Sequence, residues 1–224
     1  FRYHDVMNVM RDADTYTSGF IRKGLGDSFE GLFILGLDGD QHKNVRALLQ
    51  PAFMPQQVNK WQDRIDNIMR RDFLEPLVPQ KKANIMEFGL NFPIRVMYAL
   101  MGFPEDDSEQ YKRFAAWSLL MVGGNQTDPD KIVEAKKNAG IAMKGLYQAI
   151  SEIVVKRRAE GSKGDDLIGK LLRAEFEGRT LDDHEVITFV ISLLPAAGET
   201  TTRTLSCVLT LMFEIPGLLD RVRN

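Results

Sequence analysis

Apolar residues recur every three or four positions along most of this 224-residue chain, which is the spacing of helices that bury one face. The strict alternation that is typical of strands is scarce, and residues 32–37 fit either a short strand or a loop. No internal repeat or low-complexity segment interrupts the pattern. The sequence therefore predicts a mainly α-helical fold.

Prolines, glycines and helix-capping residues divide this pattern into segments. A short helix is predicted after an N-cap at Asp5, and a loop rich in Gly, Ser and Thr is predicted over residues 15–31. Asp40 is predicted to cap the next helix, and Asp128 with Pro129 to begin a long one. The predicted helices cover residues 6–10, 41–50, 58–73, 94–101, 111–122, 129–160, 167–176 and, after a cap at Asp182 or Asp183, 183–215.

The last predicted helix is apolar on nearly all sides in its first half, which favours burial in the core. Its middle is unusual, because Pro195 removes a backbone donor and Gly198 weakens a helix by about 1 kcal/mol relative to alanine. We therefore expect a kink or a local opening at this point. Ala196, Ala197 and Gly198 have so little side chain that a bulky, flat group can lie against the backbone there.

An acid and an alcohol follow this surface of small residues. Glu199 and Thr200 form a pair that is suited to relaying protons through ordered water. The alternative is purely structural: Glu199 pairs with Arg203 four residues later, and the threonines bond to carbonyls one turn back. The spacing alone is compatible with both interpretations.

His42 and Arg46 form a second candidate site, because residues four positions apart leave the same face of a helix. Near a helix N-terminus, an arginine fork and a histidine can bind an anionic group such as a carboxylate. The alternative is a solvated basic face that also includes Lys43.

Composition narrows the classes of function. The 29 Lys and Arg residues against 31 Asp and Glu residues give a net charge of −2, which leaves no basic surface for nucleic acid. The longest apolar run, residues 186–197, is shorter than the roughly 20 residues of a membrane span. The only cysteine, Cys207, cannot form an internal disulfide, and we expect it to be a buried apolar thiol in a protein of a reducing compartment.

The order of these features resembles the cytochrome P450 haem-thiolate monooxygenases, especially the soluble bacterial type. Residues 38–53 look like that family's helix with a His-x-x-x-Arg pair that binds a haem propionate. Residues 196–201 look like its distal oxygen-activation motif, in which a small residue, usually glycine, precedes an acid and a threonine. Ala197 stands in place of the usual glycine here, and Gly198 follows it.

The resemblance implies a haem b cofactor and specific roles for the residues of both motifs. The catalytic residues would be Glu199 and Thr200, which deliver protons during dioxygen activation. The haem-binding residues would be His42, Arg46, Ala196 and Ala197. The substrate pocket would include Phe189, Val190 and Leu193, with the loop over residues 15–33 covering the substrate.

The resemblance also implies partners and a location. We expect dioxygen, a small apolar organic substrate, and an electron donor such as a ferredoxin or a flavin reductase. Nucleic acid is not an expected partner, and a cytoplasmic monomer is the expected form.

The family's Glu-x-x-Arg pair and its cysteine-containing loop do not occur in this sequence, and Cys207 is not the iron ligand. We therefore expect residues 1–224 to be the central part of a cytochrome P450 domain. The N-terminal sheet strands would precede Phe1 and the axial cysteine would follow Asn224, so that this chain holds no metal ligand and is inactive alone. The alternatives are a non-catalytic helical binding or scaffold domain, or a relative that uses peroxide or isomerises its substrate.

Overall fold

The structure is a computed structural model that describes residues 2–19, 21, 33–123 and 128–223. Most of the described residues are helical, which confirms the predicted mainly α-helical fold. The helices are α1 (Tyr3–Arg11), α2 (Gly39–Leu49), α3 (Pro55–Ile68), α4 (Ile85–Met101), α5 (Ser108–Gly123), α6 (Ile132–Ala159), α7 (Leu167–Arg173), α8 (Asp183–Glu214) and α9 (Leu218–Arg223). Strands β1 (Glu175–Phe176) and β2 (Arg179–Thr180) pair as an antiparallel hairpin. A π-helical segment, Met69–Leu74, follows α3.

Several predicted boundaries are wrong by a few residues. Asp5 lies inside the first turn of α1, and Asp40 lies inside the first turn of α2. The N-cap position of α2 is Asp38, whose carboxylate accepts a hydrogen bond from the amide of Ser18 at 2.8 Å instead of capping its own helix. Asp128 is engaged in a turn, in which its carboxylate accepts from the amide of Asp130, so α6 begins only at Ile132.

Two further predictions concern segments without long helices. Residues 34–36 form a turn of 3-10 helix, not a strand. The loop predicted over residues 15–31 lies largely outside the described residues, and so does most of the segment predicted to cover a substrate.

The chain divides into two compact units. The first unit comprises Phe1–Asn59 and Ile150–Ser192. Its core contains Val45 and Leu49 from α2, together with the apolar side chains of α7 and of the beginning of α8. The burial of the beginning of α8 confirms the prediction from its all-round apolar pattern.

The hairpin in the first unit shortens a predicted helix. The helix predicted over residues 167–176 ends at Arg173, and residues 175–180 form β1 and β2. The turn residues Glu177 and Gly178 have φ angles of 51° and 79°. Positive φ at both central residues matches the right-handed twist of a two-residue hairpin, so the turn, rather than the two-residue strands, defines this element.

The second unit comprises Lys60–Ala149 and Leu193–Asn224. Helix α4 begins at Asn84, whose side-chain oxygen accepts hydrogen bonds from the amides of Met86 and Glu87. It ends at Gly102, whose φ of 88° is left-handed and costs glycine little. The predicted end of this helix at residue 101 is therefore confirmed, whereas its predicted start at residue 94 is wrong, since the helix begins at Ile85.

A buried arginine ties three segments of the second unit together. The Nε of Arg95, in α4, donates to Asp72 of the π-helical segment at 3.1 Å. Its Nη2 donates to the carbonyl and to the carboxylate of Glu105, both at 3.3 Å, and its Cζ lies 5.5 Å from the ring centroid of Tyr111. Glu105 also pairs with Arg64 of α3. This network joins the end of α3, α4 and the turn that leads to α5.

Candidate functional site

Helix α8 begins with a reciprocal cap. The amide of Glu185 donates to the carboxylate of Asp182 at 2.8 Å, and the amide of Asp182 donates to the carboxylate of Glu185 at 2.9 Å. This capping box confirms Asp182 as the first of the two predicted caps. Two hydrogen bonds from Arg179 lower the pKa of the Glu185 carboxyl below its ordinary value, although burial opposes the shift. The start of α8 is thus fixed by charge as well as by its apolar face.

The lowered pKa predicts acid sensitivity. A carboxyl group whose pKa is lower in the folded state stabilises the fold above its unfolded pKa of about 4.3, and this contribution is lost as the pH falls through the folded value. We expect Glu185→Gln to reduce the difference in unfolding free energy between pH 7 and pH 3.5, measured by urea unfolding. Glu214→Gln, at an exposed position near the end of the same helix, is the matched control and should leave that difference unchanged. Equal behaviour of the two variants would contradict the capping role.

The candidate oxygen-activation segment is part of continuous helix. Residues 183–214 are α-helical throughout, including Pro195. The helix is therefore not opened at the position where the sequence predicted a local opening. Its side chains divide into two faces within the second unit. Leu194, Gly198 and Thr202, spaced four apart, are buried, whereas Ala196 and Thr200 are exposed.

The exposed face carries the predicted catalytic pair. The Thr200 hydroxyl donates to the carbonyl of Ala196 at 2.6 Å. The side chain of Glu199 is 19% exposed and pairs with Arg203, which is 79% exposed. These are the contacts of the structural alternative, and they leave the Thr200 hydroxyl on an open surface beside two alanines.

Gly198, which was predicted to form a flat open surface with Ala196 and Ala197, lies instead on the buried face. A Cβ atom added to Gly198 would lie 2.5 Å from Cδ1 and 2.9 Å from Cγ1 of Ile94 in α4, so the Ile94 side chain would have to shift to admit it. One turn later, the Thr202 hydroxyl lies 2.9 Å from the carbonyl oxygen of Gly89, also in α4. Sequence reasoning did not assign these contacts. The one available signal was a threonine at a core position three residues after the acid.

His42 and Arg46 lie together in α2, in the first unit, four residues apart as predicted. His42 is half-buried and Arg46 is exposed. Within the described ranges, neither side chain has an ion-pair partner. The neighbouring Lys43, in contrast, pairs with Asp40. An exposed, uncompensated guanidinium on the same helix face as an imidazole fits a carboxylate ligand.

The other predicted positions have mixed surroundings. Phe189 and Val190 are fully buried in the first unit, and Leu193 is half-buried in the second. The expectation of a buried Cys207 is wrong, since its side chain is exposed. Seven residues are close to two helical turns, so Cys207 lies on the same exposed face as Thr200.

A groove near α4 and α5 is separate from the predicted site. It has a volume of about 930 Å³ and lies in the second unit between the π-helical segment, α4 and α5, and none of the predicted site residues lines it. In the part of the chain that the structure describes, no helix has the combination of length and apolar character that crossing a membrane requires.

Comparison with known proteins identifies the class. The family model described as Cytochrome P450 matches residues 1–224. Erythromycin C-12 hydroxylase of Saccharopolyspora erythraea is 31% identical over 98% of this chain and 53% of its own length. Cytochrome P450(BM-1) of Priestia megaterium is 28% identical over the whole chain and 55% of its own length. The crystal structure of CYP109E1 from Bacillus megaterium in complex with testosterone matches with a TM-score of 0.74 and 26% identity, over 86% of this chain and 50% of that one.

The chain belongs to the cytochrome P450 family. This membership confirms the predicted resemblance, and it implies a haem cofactor. The chain spans about half the length of the curated relatives that it matches.

The residues of this chain fit a haem. The exposed face of α8 offers small side chains and a hydroxyl at Ala196 and Thr200, against which a flat ring can lie. The exposed Arg46 offers a cation for a propionate.

Proposed function

We propose that the full-length protein containing this chain is a haem-dependent monooxygenase that oxidises a small apolar organic substrate. One oxygen atom of dioxygen enters the substrate and the other leaves as water, with two electrons from a redox partner and two protons. The observation that carries the proposal is the exposed face of α8, where Thr200 and two alanines lie beside a mostly buried Glu199.

Haem, when bound, supplies dioxygen binding and the oxidising chemistry. The residues of this chain that would hold it are Ala196 and Ala197, through the flat face of the macrocycle, and His42 and Arg46, through a propionate. The small alanine side chains let the macrocycle approach the backbone of α8. The arginine fork binds a carboxylate through two parallel hydrogen bonds, which fixes its orientation as well as its charge.

Thr200 and Glu199 would hold and move protons beside the haem. A hydroxyl has one proton and two lone pairs, and the Thr200 proton is directed to the Ala196 carbonyl. Its lone pairs are therefore free to accept a hydrogen bond from the exposed side. Glu199 can release Arg203 at low cost, because an ion pair with a largely exposed partner contributes less than about 1 kcal/mol. A rotated Glu199 carboxyl group would then pass protons towards Thr200 through water.

The remaining assignments follow from the family. The electron donor would be a ferredoxin or a flavin protein, and the enzyme would act as a cytoplasmic monomer. Phe189, Val190 and Leu193 would contribute apolar surface to the substrate pocket. Testosterone is a reasonable first probe, since the similar CYP109E1 structure is a complex with it.

The experiment that tests the proposal is substitution of Thr200 in the full-length protein. With ferredoxin, ferredoxin reductase, NADPH and testosterone, we expect Thr200→Ala to divert electrons from product to hydrogen peroxide, because proton delivery is impaired. A loss of about 10-fold or more in product per NADPH is expected, in the range of a lost proton-transfer group. Thr210→Val is the matched control, since its hydroxyl is exposed and donates only to the Ser206 carbonyl one turn back.

Two outcomes would contradict the proposal. If Thr200→Ala and Thr210→Val gave the same product yield, the hydroxyl would have the purely structural role. If the coding sequence after Asn224 held no Glu-x-x-Arg pair and no cysteine in a glycine-containing loop, the protein would lack the iron ligand. The helical scaffold interpretation would then replace the monooxygenase.

A further inference from the structure

A proline in α4 leaves one backbone carbonyl without its helical partner. In an α-helix the carbonyl of residue 89 accepts from the amide of residue 93, but Pro93 has no amide hydrogen. Gly89 is buried, so its carbonyl needs a hydrogen-bond donor from the protein. A buried carbonyl without a donor destabilises the fold.

Thr202 of α8 supplies the missing donor. Its hydroxyl has one proton, which is shared between the Gly89 carbonyl oxygen at 2.9 Å and the carbonyl oxygen of Gly198 in its own helix at 2.7 Å. The two helices are in contact at this point, since a Cβ of residue 89 would lie 3.7 Å from Cγ2 of Thr202, an ordinary van der Waals distance. The bond therefore replaces a lost hydrogen bond within α4 by one between α4 and α8.

The position of Thr202 relates this bond to the candidate catalytic pair. Residues 200 and 202 are about 200° apart around a helix, so their side chains leave opposite faces. Thr200 is accordingly exposed, whereas Thr202 is buried against α4. The bond to Gly89 therefore fixes α8 on the face opposite Thr200, within one helical turn of Glu199.

We propose that Thr202 is a positioning residue for Glu199 and Thr200. It fixes the rotation of α8 about its own axis by bonding to the carbonyl that Pro93 leaves free. The role rests on the monooxygenase function proposed above. Side-chain atoms lie about 5 Å from a helix axis, so a rotation of about 10° displaces them by about 1 Å. A displacement of that size can reduce the rate of a positioned reaction by about 100-fold.

Three variants of the full-length haem protein test the proposal, with testosterone as the probe. Thr202→Val keeps the shape of the side chain but removes the donor, and Thr202→Ser retains the donor. Thr210→Val removes a hydroxyl that bonds only within α8. We expect Thr202→Val to lower the ratio of product to hydrogen peroxide by about threefold to tenfold. Thr202→Ser and Thr210→Val should stay close to the unaltered protein.

A fourth variant separates positioning from simple satisfaction of a buried carbonyl. Pro93→Ala returns an amide hydrogen to α4, so that the Gly89 carbonyl regains its own helical donor. In Pro93→Ala/Thr202→Val we expect the thermal unfolding midpoint to recover relative to Thr202→Val alone. The product ratio should stay low, because the bond between α4 and α8 is still missing. Haem content and the spectrum of the reduced carbon monoxide complex report whether each variant is folded.

The Thr202 variants and Thr200→Ala test the positioning role and the proposed function separately. A low product ratio in Thr202→Val that serine restores, and that Pro93→Ala does not, supports the positioning role. A normal ratio in Thr202→Val, or recovery in the double variant, overturns it while leaving the Thr200 result intact. If Thr202→Val does not bind haem, the ratio in Pro93→Ala/Thr202→Val decides in the same way. If Thr200→Ala itself is silent, the proposed function fails first.

Discussion

Replacing Arg95 by alanine is expected to lower the free energy of unfolding by about 3–5 kcal/mol, the range for breaking a buried ion-pair network. The Arg95 side chain is only 2% exposed and is paired with Asp72 and Glu105. Its removal leaves a cavity under Tyr111 and places two carboxylates near each other without a shared cation. The second unit thereby loses the link between the end of α3, α4 and the turn before α5. Urea unfolding of the full-length protein, followed by circular dichroism, measures the loss.

The matched control uses the same acceptor. Arg64 also pairs with Glu105, but its side chain is 40% exposed. Because exposed ion pairs contribute little, Arg64→Ala should cost less than about 1 kcal/mol. Arg95→Met, which keeps most of the volume and removes the charge, should fall between the two. Equal losses for Arg64→Ala and Arg95→Ala would show that burial of the arginine does not matter.

The same network predicts a change in acid sensitivity. Burial raises the pKa of the Asp72 carboxyl, but hydrogen bonds and charge from Arg71 and Arg95 outweigh burial and lower it. For Glu105, burial likewise raises the pKa, and Arg64 and Arg95 outweigh it. Both contributions to stability are present above the unfolded pKa of about 4 and are lost as the pH falls through the lower folded values. Without Arg95, the stability should therefore depend less on pH below about 5.

The helices that were predictable from the sequence are those with local signals at their ends. Helix α4 ends before Gly102 because glycine adopts the left-handed conformation at little cost, and α8 begins after Asp182 because the Asp-x-x-Glu sequence forms a capping box. Such signals involve residues within four positions of each other. They are therefore visible without knowledge of the fold.

The errors arise where a distant residue competes for a side chain. Asp38, not Asp40, takes the N-cap position of α2, and it gives its carboxylate to Ser18, twenty positions away, rather than to its own helix. The hairpin after α7 has strands of two residues, too short to show alternation, and only its turn defines it. Cys207 has apolar neighbours in sequence, yet the face of α8 that carries it is open.

The candidate site divides in the same way. Its residue types and spacing gave Glu199, Thr200, His42 and Arg46, because motif residues lie within one helical turn of each other. The hydrogen bond between Thr202 and Gly89, made possible by Pro93, joins residues more than 100 positions apart, and no local sequence pattern predicts it. Pro93 gave no signal either, because the helix was predicted to begin only after it, at residue 94.

Gly198→Ala is expected to destabilise the protein, although alanine is the better helix former. Overpacking a filled core costs about 1–3 kcal/mol, and the helix preference of alanine returns at most about 1 kcal/mol. The added methyl group would overlap the side chain of Ile94, which is completely buried and would have to shift. The net loss should be about 1–2 kcal/mol in urea unfolding. The same substitution should push α8 away from α4 and lower the yield of product.

Two variants make this prediction specific to the contact between α4 and α8. Gly140→Ala, in α6, places a methyl group where nothing lies within 4 Å, so it should stabilise the protein by up to about 1 kcal/mol. Ile94→Val removes the Cδ1 atom that the new methyl group would meet. The double variant Gly198→Ala/Ile94→Val should therefore lose less stability than the sum of the two single changes. Additive losses would show that Gly198 is required for a reason other than its contact with Ile94. Recovery in the double variant would show that the residue before the acid is kept small by its contact with Ile94 of α4.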